Sequence, residues 1–211
     1  MAYDLQEQEQ LDSLKSFWKQ YGGMIMAVTS AAIIALVASQ AWRHYQDSRA
    51  QAASTEYTAL EQALQKNDQA KAKEFSGRLA SEYSKTPYAA RAALLEAKQA
   101  FDKDDLKTAT AKLSWVVENA VEPEIKDVAR LRLAAVQLDQ KQFDAALKAL
   151  DAAPVDAFSS QFAEMKGDVL LAQGKKADAA KAYQHALNKL EKTAPGYQLV
   201  QMKLDALGDV K

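Results

Sequence analysis

The feature that most constrains this chain is a largely apolar stretch at residues 22–42. No charged side chain occurs between Lys19 and Arg43, a run of 23 residues. At about 1.5 Å of rise per residue, such a run forms about 34 Å of helix, slightly more than the hydrocarbon core of a bilayer, about 30 Å. Trp18 and Trp42 lie at the two rims, where aromatic rings anchor membrane helices. The stretch therefore predicts one membrane-spanning helix.

A cleaved signal peptide is the alternative for this stretch, since residues 39–41 (Ser-Gln-Ala) offer a small-residue cleavage position. The apolar run is longer than the core of a signal peptide, and the residues before it are net acidic, so we expect an uncleaved anchor. The near flanks carry two bases each, Lys15 and Lys19 before the run and Arg43 and Arg49 after it. Because the flanks are equal, the positive-inside rule gives no orientation.

Two further patterns belong to this end of the chain. In the short tail at residues 1–21, Leu11, Leu14 and Trp18 follow helical spacing and predict a partly amphipathic helix. A polar tail with a few anchoring aromatics remains the alternative. Within the span, small residues recur every fourth position, at Gly23, Ala27, Ala31, Ala35 and Ser39. Such a stripe lets a second membrane helix approach closely, although alanine is also simply common in membrane helices.

Composition limits what the remaining residues, 43–211, can form. The whole chain has 27 basic and 28 acidic side chains, so no overall charge favours nucleic acid. It has no cysteine, which excludes disulfides and thiolate metal sites. Only 7 glycines and 4 prolines occur, and there are no β-branched runs that would build a sheet. The composition predicts an all-α protein.

The residues after the span read as helical hairpins that repeat. The segments Lys-Gln-Phe-Asp-Ala-Ala at 141–146 and Lys-Lys-Ala-Asp-Ala-Ala at 175–180 are 34 residues apart. That period is typical of tetratricopeptide (TPR) repeats. We place the repeats at about 87–121, 123–156 and 157–192, with a degenerate hairpin at 47–85 and a capping helix at 195–208.

The last repeat fits the TPR pattern best. Gly167, Ala179, Tyr183 and Ala186 match its small, small, aromatic and small positions. Small residues are needed where the paired helices cross closely, and the aromatic ring fills the space between neighbouring repeats. The usual tryptophan of the first helix is missing in every repeat, and only the last repeat has the glycine.

No catalytic, cofactor or metal-binding pattern is recognisable, so we do not expect an enzyme. The two histidines, His44 and His185, are isolated in the sequence, and no P-loop, dinucleotide or metalloprotease motif occurs. A stack of TPR hairpins can instead bind a partner on the concave face lined by its first helices. The residues that we expect on that face are Arg91, Lys98, Arg130, Gln137, Glu164 and Asp168.

The whole arrangement resembles the YfgM family of bacterial inner-membrane proteins. The resemblance covers essentially the full length and rests on order and spacing more than on any single motif. Its segments are residues 9–18 (Glu-Gln-Leu-Asp-Ser-Leu-Lys-Ser-Phe-Trp), Tyr21-Gly22, Ala41-Trp42-Arg43, residues 131–134 (Leu-Arg-Leu-Ala) and residues 140–147.

The resemblance implies a single-pass anchor with a cytoplasmic N-terminus and a periplasmic TPR domain. It implies association with the SecYEG translocon and with the membrane-anchored periplasmic chaperone PpiD, and a chaperone-like role toward unfolded or translocating polypeptides. The alternative that it leaves open is a regulatory scaffold that sequesters a cytoplasmic stress-response regulator.

Overall fold

The structure, a computed structural model, describes the backbone of residues 2–208 and the side chains of residues 11–208. These residues form helices and connecting turns without any strand, so the all-α prediction is confirmed. The first helix, α1, runs from Ala2 to Gln65 and contains the predicted tail and span. Contacts divide the described chain into a unit that ends at Arg49 and a unit that begins at Ala50.

The first unit contains one segment that is sufficiently long and apolar to cross a membrane. Its most apolar part has a mean hydropathy of 2.0, and only 6% of the residues in that part are buried. Its large side chains are open to the surroundings, and Ile34 and Leu36 are both 68% exposed. A water-soluble protein rarely exposes so continuous an apolar surface. The exposure therefore favours a membrane helix over a core helix of a soluble domain.

The second unit is a series of helical hairpins, and its first helix is the end of α1. The helices that follow are α2 (Gln69–Glu82), α3 (Pro87–Asp102), α4 (Leu106–Asn119), α5 (Pro123–Asp139), α6 (Phe143–Ala149), α7 (Ser159–Ala172), α8 (Lys176–Asn188) and α9 (Tyr197–Asp205), with a short 3-10 turn at Asp156–Phe158 before α7. Pro87 and Pro123 each occupy the first turn of a helix, where their missing N–H costs nothing.

These helices fall within the predicted segments. The proposed repeats at about 87–121, 123–156 and 157–192 contain α3–α4, α5–α6 and α7–α8. The proposed first hairpin contains the end of α1 and α2, and the proposed capping segment contains α9. Residues 1 and 209–211 of the proposed segments lie outside the described residues.

Each of the four hairpins has the same type of turn between its two helices. Asn67, Asp104, Lys141 and Gly174 adopt positive φ, between 57° and 79°. At each turn the next residue's N–H donates to the carbonyl five positions earlier, at 2.8–2.9 Å, which is the Schellman arrangement. Because Asn and Asp tolerate left-handed backbone, glycine is not required at these turns. The first hairpin is therefore a regular member of the series.

The turns also set the register of the repeats. Aligned on Lys141 and Gly174, the last two hairpins are offset by 33 residues, whereas the earlier turns are 37 residues apart. The offset of 34 taken from the two similar segments was therefore wrong by one residue.

Small residues let the paired helices approach closely. The fifth residue after each turn residue is an alanine that is at most 6% exposed, namely Ala72, Ala109, Ala146 and Ala179. Ala72, Ala146 and Ala179 each belong to a cluster of buried apolar side chains that includes residues of the preceding helix. The alanine-rich composition thus reflects close helix packing.

Candidate functional site

The predicted binding residues lie on the first helices of the hairpins, and the cationic ones are paired within the chain. The Arg91 guanidinium bonds Glu122 at 3.1 Å, which links α3 to the start of α5. The Lys98 ammonium bonds Asp102 one turn further along α3, and both side chains are largely exposed. Exposed pairs of this kind contribute little to stability. They leave these cations able to exchange partners.

Arg130 belongs to a structural contact. Its guanidinium bonds Asp127 at 2.8 Å, and the Asp127 side chain is only 2% exposed. The second Asp127 oxygen accepts a hydrogen bond from the Val155 backbone N–H at 2.8 Å. Asp127 thereby fixes the loop between α6 and α7 to α5. Arg130 therefore compensates a buried charge.

Gln137 is half-buried, and its place on the binding face stays a prediction. Its side-chain oxygen is buried and has no hydrogen-bond partner among the described residues. A buried acceptor without a partner is unfavourable by about 1–3 kcal/mol. We find no compensating contact for it in the described part of the chain.

Glu164 and Asp168 are brought together on α7, but the chain itself occupies them. The Lys203 ammonium of α9 bonds Glu164 at 2.7 Å and both oxygens of Asp168 at 2.7–2.8 Å. Asp168 also accepts a hydrogen bond from the Tyr183 hydroxyl at 2.7 Å. The end of the last hairpin is thus closed by α9, and its two carboxylates serve this closure.

Burial and charge shift the titration of this cluster. Burial raises the pKa of the Tyr183 phenol, and the hydrogen bond to Asp168 raises it further. Burial lowers the pKa of the Lys203 ammonium, but its bonds to Asp168 and Glu164 outweigh this effect and raise that pKa above 10.5. Lys203 stays protonated and Tyr183 neutral at neutral pH.

The small-residue stripe of α1 is uncovered. Gly23, Ala27, Ala31, Ala35 and Ser39 are all exposed. The Ser39 hydroxyl donates to the Leu36 carbonyl of its own helix at 2.8 Å and makes no other hydrogen bond within the described part of the chain. The docking of a second helix on this stripe therefore stays a prediction.

Sequence reasoning missed two residues that border an apolar cavity of the hairpin array. Phe101 and Arg132 line a cavity of about 340 Å³ between α3 and α5, and Phe101 is 44% exposed. Neither residue stands out by type or local spacing. An alignment of the hairpins on their turn residues would have singled out Arg132, because the equivalent residue of α7 is Met165.

The described residues contain no group of three His, Asp or Glu side chains arranged to hold a metal ion. The features that stand out in this part of the chain are an exposed apolar helix, ion pairs on the first helices and an apolar cavity between two of them. This geometry is suited to protein contacts.

Comparison with known proteins agrees with this geometry. A family model described as a tetratricopeptide repeat-like domain matches residues 15–209, which confirms the TPR-like prediction. The chain is 37% identical to an ancillary SecYEG translocon subunit of Neisseria gonorrhoeae (strain ATCC 700825 / FA 1090), over 98% of this chain and 100% of the relative.

Two further relatives carry the same description. The protein of Haemophilus influenzae (strain ATCC 51907 / DSM 11121 / KW20 / Rd) is 30% identical over 98% of this chain and 100% of its own length. That of Escherichia coli (strain K12) is 32% identical over 95% of this chain and 96% of its own length. The similarity thus includes both the apolar helix and the hairpins.

Proposed function

Since the chain belongs to the YfgM family of ancillary SecYEG translocon subunits, its role is that of a Sec-associated accessory protein, and we propose that it assists newly translocated proteins in a chaperone-like manner. The observation that carries the proposal is full-length similarity across a chain with one exposed apolar helix and a hairpin array. Hairpin arrays of this kind act by binding.

The proposed topology is a single pass through the inner membrane. One N-terminal apolar helix and relatives named as translocon subunits fit a single-pass inner-membrane protein. We propose that residues 1–21 are cytoplasmic, residues 22–42 span the membrane and residues 43–211 lie in the periplasm. In this orientation the hairpins are next to polypeptides that leave the translocon.

The proposed partners are the SecYEG translocon, the chaperone PpiD and unfolded or translocating polypeptides. The stripe of Gly23, Ala27, Ala31, Ala35 and Ser39 supports a helix–helix contact inside the membrane, because it is exposed and small. The open apolar cavity on the hairpins supports a second contact outside it. The protein would thus hold the translocon and a client at once.

Topology is tested by fusing alkaline phosphatase after Lys211, since this enzyme is active only in the oxidising periplasm. We expect an active fusion, and an inactive fusion of a stably produced chain contradicts the periplasmic domain. A parallel fusion to a cytoplasmic reporter at the same position should be inactive.

Partners are tested by site-specific photocrosslinking of the full chain in its native membrane. A photoreactive residue at Ala31 is expected to crosslink a translocon subunit or PpiD, and one at Lys98 a translocating polypeptide. Lys181 is a suitable control, because its side chain is 80% exposed on a second helix. Crosslinks to a soluble cytoplasmic regulator from residues 1–21, with none from Ala31 or Lys98, would favour the regulatory scaffold instead.

A further inference from the structure

The cavity between α3 and α5 is an apolar recess with a charged rim. Its walls are the side chains of Ala97, Phe101, Leu113, Ala135 and Val136, and Lys98, Asp102 and Arg132 border it. Leu113 and Val136 are at most 4% exposed, so the recess reaches the core of the hairpin array. Its volume of about 340 Å³ accommodates one large apolar side chain.

The recess exists because two positions of the repeat differ from their equivalents in the last hairpin. There, the fully buried ring of Tyr183 packs against Gly167 and fills the space between the helices. The equivalent residues beside the recess are Leu113 and Ala97. A leucine in place of the larger tyrosine leaves space open at this position.

The second difference is Arg132. Its equivalent in α7 is Met165, which packs against the apolar cluster of the preceding hairpin that contains Leu138 and Leu150. In α5, Arg132 thus stands where a methionine would cover the apolar side chains of the preceding hairpin. Phe101 of that hairpin is 44% exposed. An arginine in place of a partly buried methionine does not improve the packing of the isolated chain.

The rim carries one uncompensated positive charge. The Lys98 ammonium and the Asp102 carboxylate bond each other and cancel. Among the described residues, the Arg132 guanidinium has neither an ion pair nor a hydrogen bond, and the residue is exposed beside the recess. An arginine at the rim of an apolar recess can bond a carboxylate bidentately.

We propose that this recess, with Arg132 at its rim, binds one large apolar side chain of a partner polypeptide together with an acidic group next to it in the partner's sequence. The apolar side chain packs on Phe101, Leu113 and Val136, and the carboxylate bonds Arg132. The inference deepens the proposed function and rests on it only for the view that the clients are polypeptides. It predicts that apolar–acidic segments are preferred over apolar–basic ones.

The test uses the full chain reconstituted in lipid nanodiscs and fluorescence polarisation of a labelled probe. The probe is a short glycine–serine peptide that contains one phenylalanine followed by two glutamates. Two matched peptides replace the glutamates by lysines or the phenylalanine by serine. We expect the apolar–acidic peptide to bind about ten-fold more tightly than either matched peptide, with an affinity that falls as salt is raised.

The decisive variant is Arg132→Met, which places the residue of the last hairpin at this position. It should close the recess and remove the cation, so that the peptide affinity falls at least about ten-fold while the melting temperature is retained or rises. Lys166→Met is the matched control, because Lys166 is an exposed cation on the first helix α7. It should leave the peptide affinity unchanged.

Three results would overturn the proposal: equal binding of the acidic and basic peptides, undiminished binding by Arg132→Met, or no peptide binding by the wild-type chain. Each is distinguishable from a failure of the proposed function. That failure appears as loss of translocon crosslinks in native membranes for the wild-type chain, whatever the peptide result.

Discussion

Gly167 is the position where a single methyl group should disturb the packing most. A Cβ atom at Gly167 would lie 2.5 Å from Cδ1 of Tyr183 and closer still to Cε1, whereas ordinary contacts begin at about 3.4 Å. The Tyr183 ring is fully buried and its hydroxyl is held by Asp168. The ring cannot swing away without losing that hydrogen bond. Gly167→Ala therefore overpacks the crossing of α7 and α8.

The expected magnitude follows from two opposing effects. Alanine in the middle of a helix is favoured over glycine by about 0.5–1 kcal/mol. Overpacking of a filled core costs about 1–3 kcal/mol, and a lost hydrogen bond to the Asp168 carboxylate adds about 1.5–3 kcal/mol. We expect the free energy of unfolding to fall by about 1.5–5.5 kcal/mol. For a domain of this size, that corresponds to a melting temperature lower by about 2–4 °C per kcal/mol.

The chain offers a control with the opposite sign. Gly77 also lies inside a helix, but a Cβ atom there would meet nothing within 4 Å. Gly77→Ala should therefore raise the free energy of unfolding by about 0.5–1 kcal/mol through helix propensity alone. The assay is urea unfolding of the reconstituted full chain followed by circular dichroism. Hydrogen exchange should localise the Gly167→Ala loss to α7 and α8.

A double variant tests the cause. Tyr183→Leu combined with Gly167→Ala recreates the pair that the second and third hairpins use, Ala97 with Leu113 and Ala134 with Leu150. Once the ring is gone, the added methyl group should be neutral or stabilising, which gives a coupling of at least about 1.5 kcal/mol. A neutral Gly167→Ala single variant, or strictly additive effects, would refute the reasoning.

Two further predictions concern buried charges. Asp127→Ala should lower the free energy of unfolding by about 1–3 kcal/mol, because the Val155 N–H and the Arg130 guanidinium lose their acceptor. Asp127→Asn should lower it by less, and equal urea midpoints for the two variants would contradict this prediction. The pKa values of Lys203 and Tyr183 are raised because the folded state favours their protonated forms. The resulting contribution to the free energy of unfolding is fully present below about pH 10 and is lost as pH rises through the folded pKa values. Thermal melts should therefore show a decline above pH 10 that is shallower in Lys203→Met, and an unchanged slope would count against the contact.

Much of the fold follows from local patterns. The absence of charge between Lys19 and Arg43 is enough to predict the apolar helix, because length and polarity alone decide whether a segment can cross a bilayer. Gly167 and Ala179 are buried small residues as predicted, since close helix crossing demands them, whereas the Tyr183 ring packs on Gly167 of its own hairpin and clusters with Val200. Both inferences depend only on neighbours in the same helix or hairpin.

The register of the repeats was harder to predict, because three of the four turns lack the glycine that marks a left-handed residue. Asn67 and Asp104 adopt this backbone at modest cost, and Lys141 does so within the same hydrogen-bonded turn. The similar segments that begin at Lys141 and Lys175 therefore suggested an alignment shifted by one residue. The backbone hydrogen bonds, and not the side chains, define the repeat.

The binding residues were harder still, since their partners are distant in sequence. Glu164 and Asp168 looked free because Lys203 lies 35 or more residues away, and no local pattern connects them. Likewise, nothing near Arg132 in the sequence indicates that its counterpart in α7 is a methionine packed against the core. Charged residues on the first helix of a hairpin do not by themselves indicate a binding surface, because most of the predicted ones form pairs within the chain.

The closed end of the hairpin array indicates what the open recess between α3 and α5 lacks. Beyond the last hairpin, α9 supplies Val200 to the core and Lys203 to Glu164 and Asp168, so that the exposed end of the array is covered by the chain itself. Between α3 and α5, the place of that apolar cover is left empty, and Arg132 is left without a carboxylate in the described residues. A partner side chain with an adjacent acid would supply the same two contacts with the charges reversed. The way in which α9 closes the array thus indicates the chemistry that the open recess lacks.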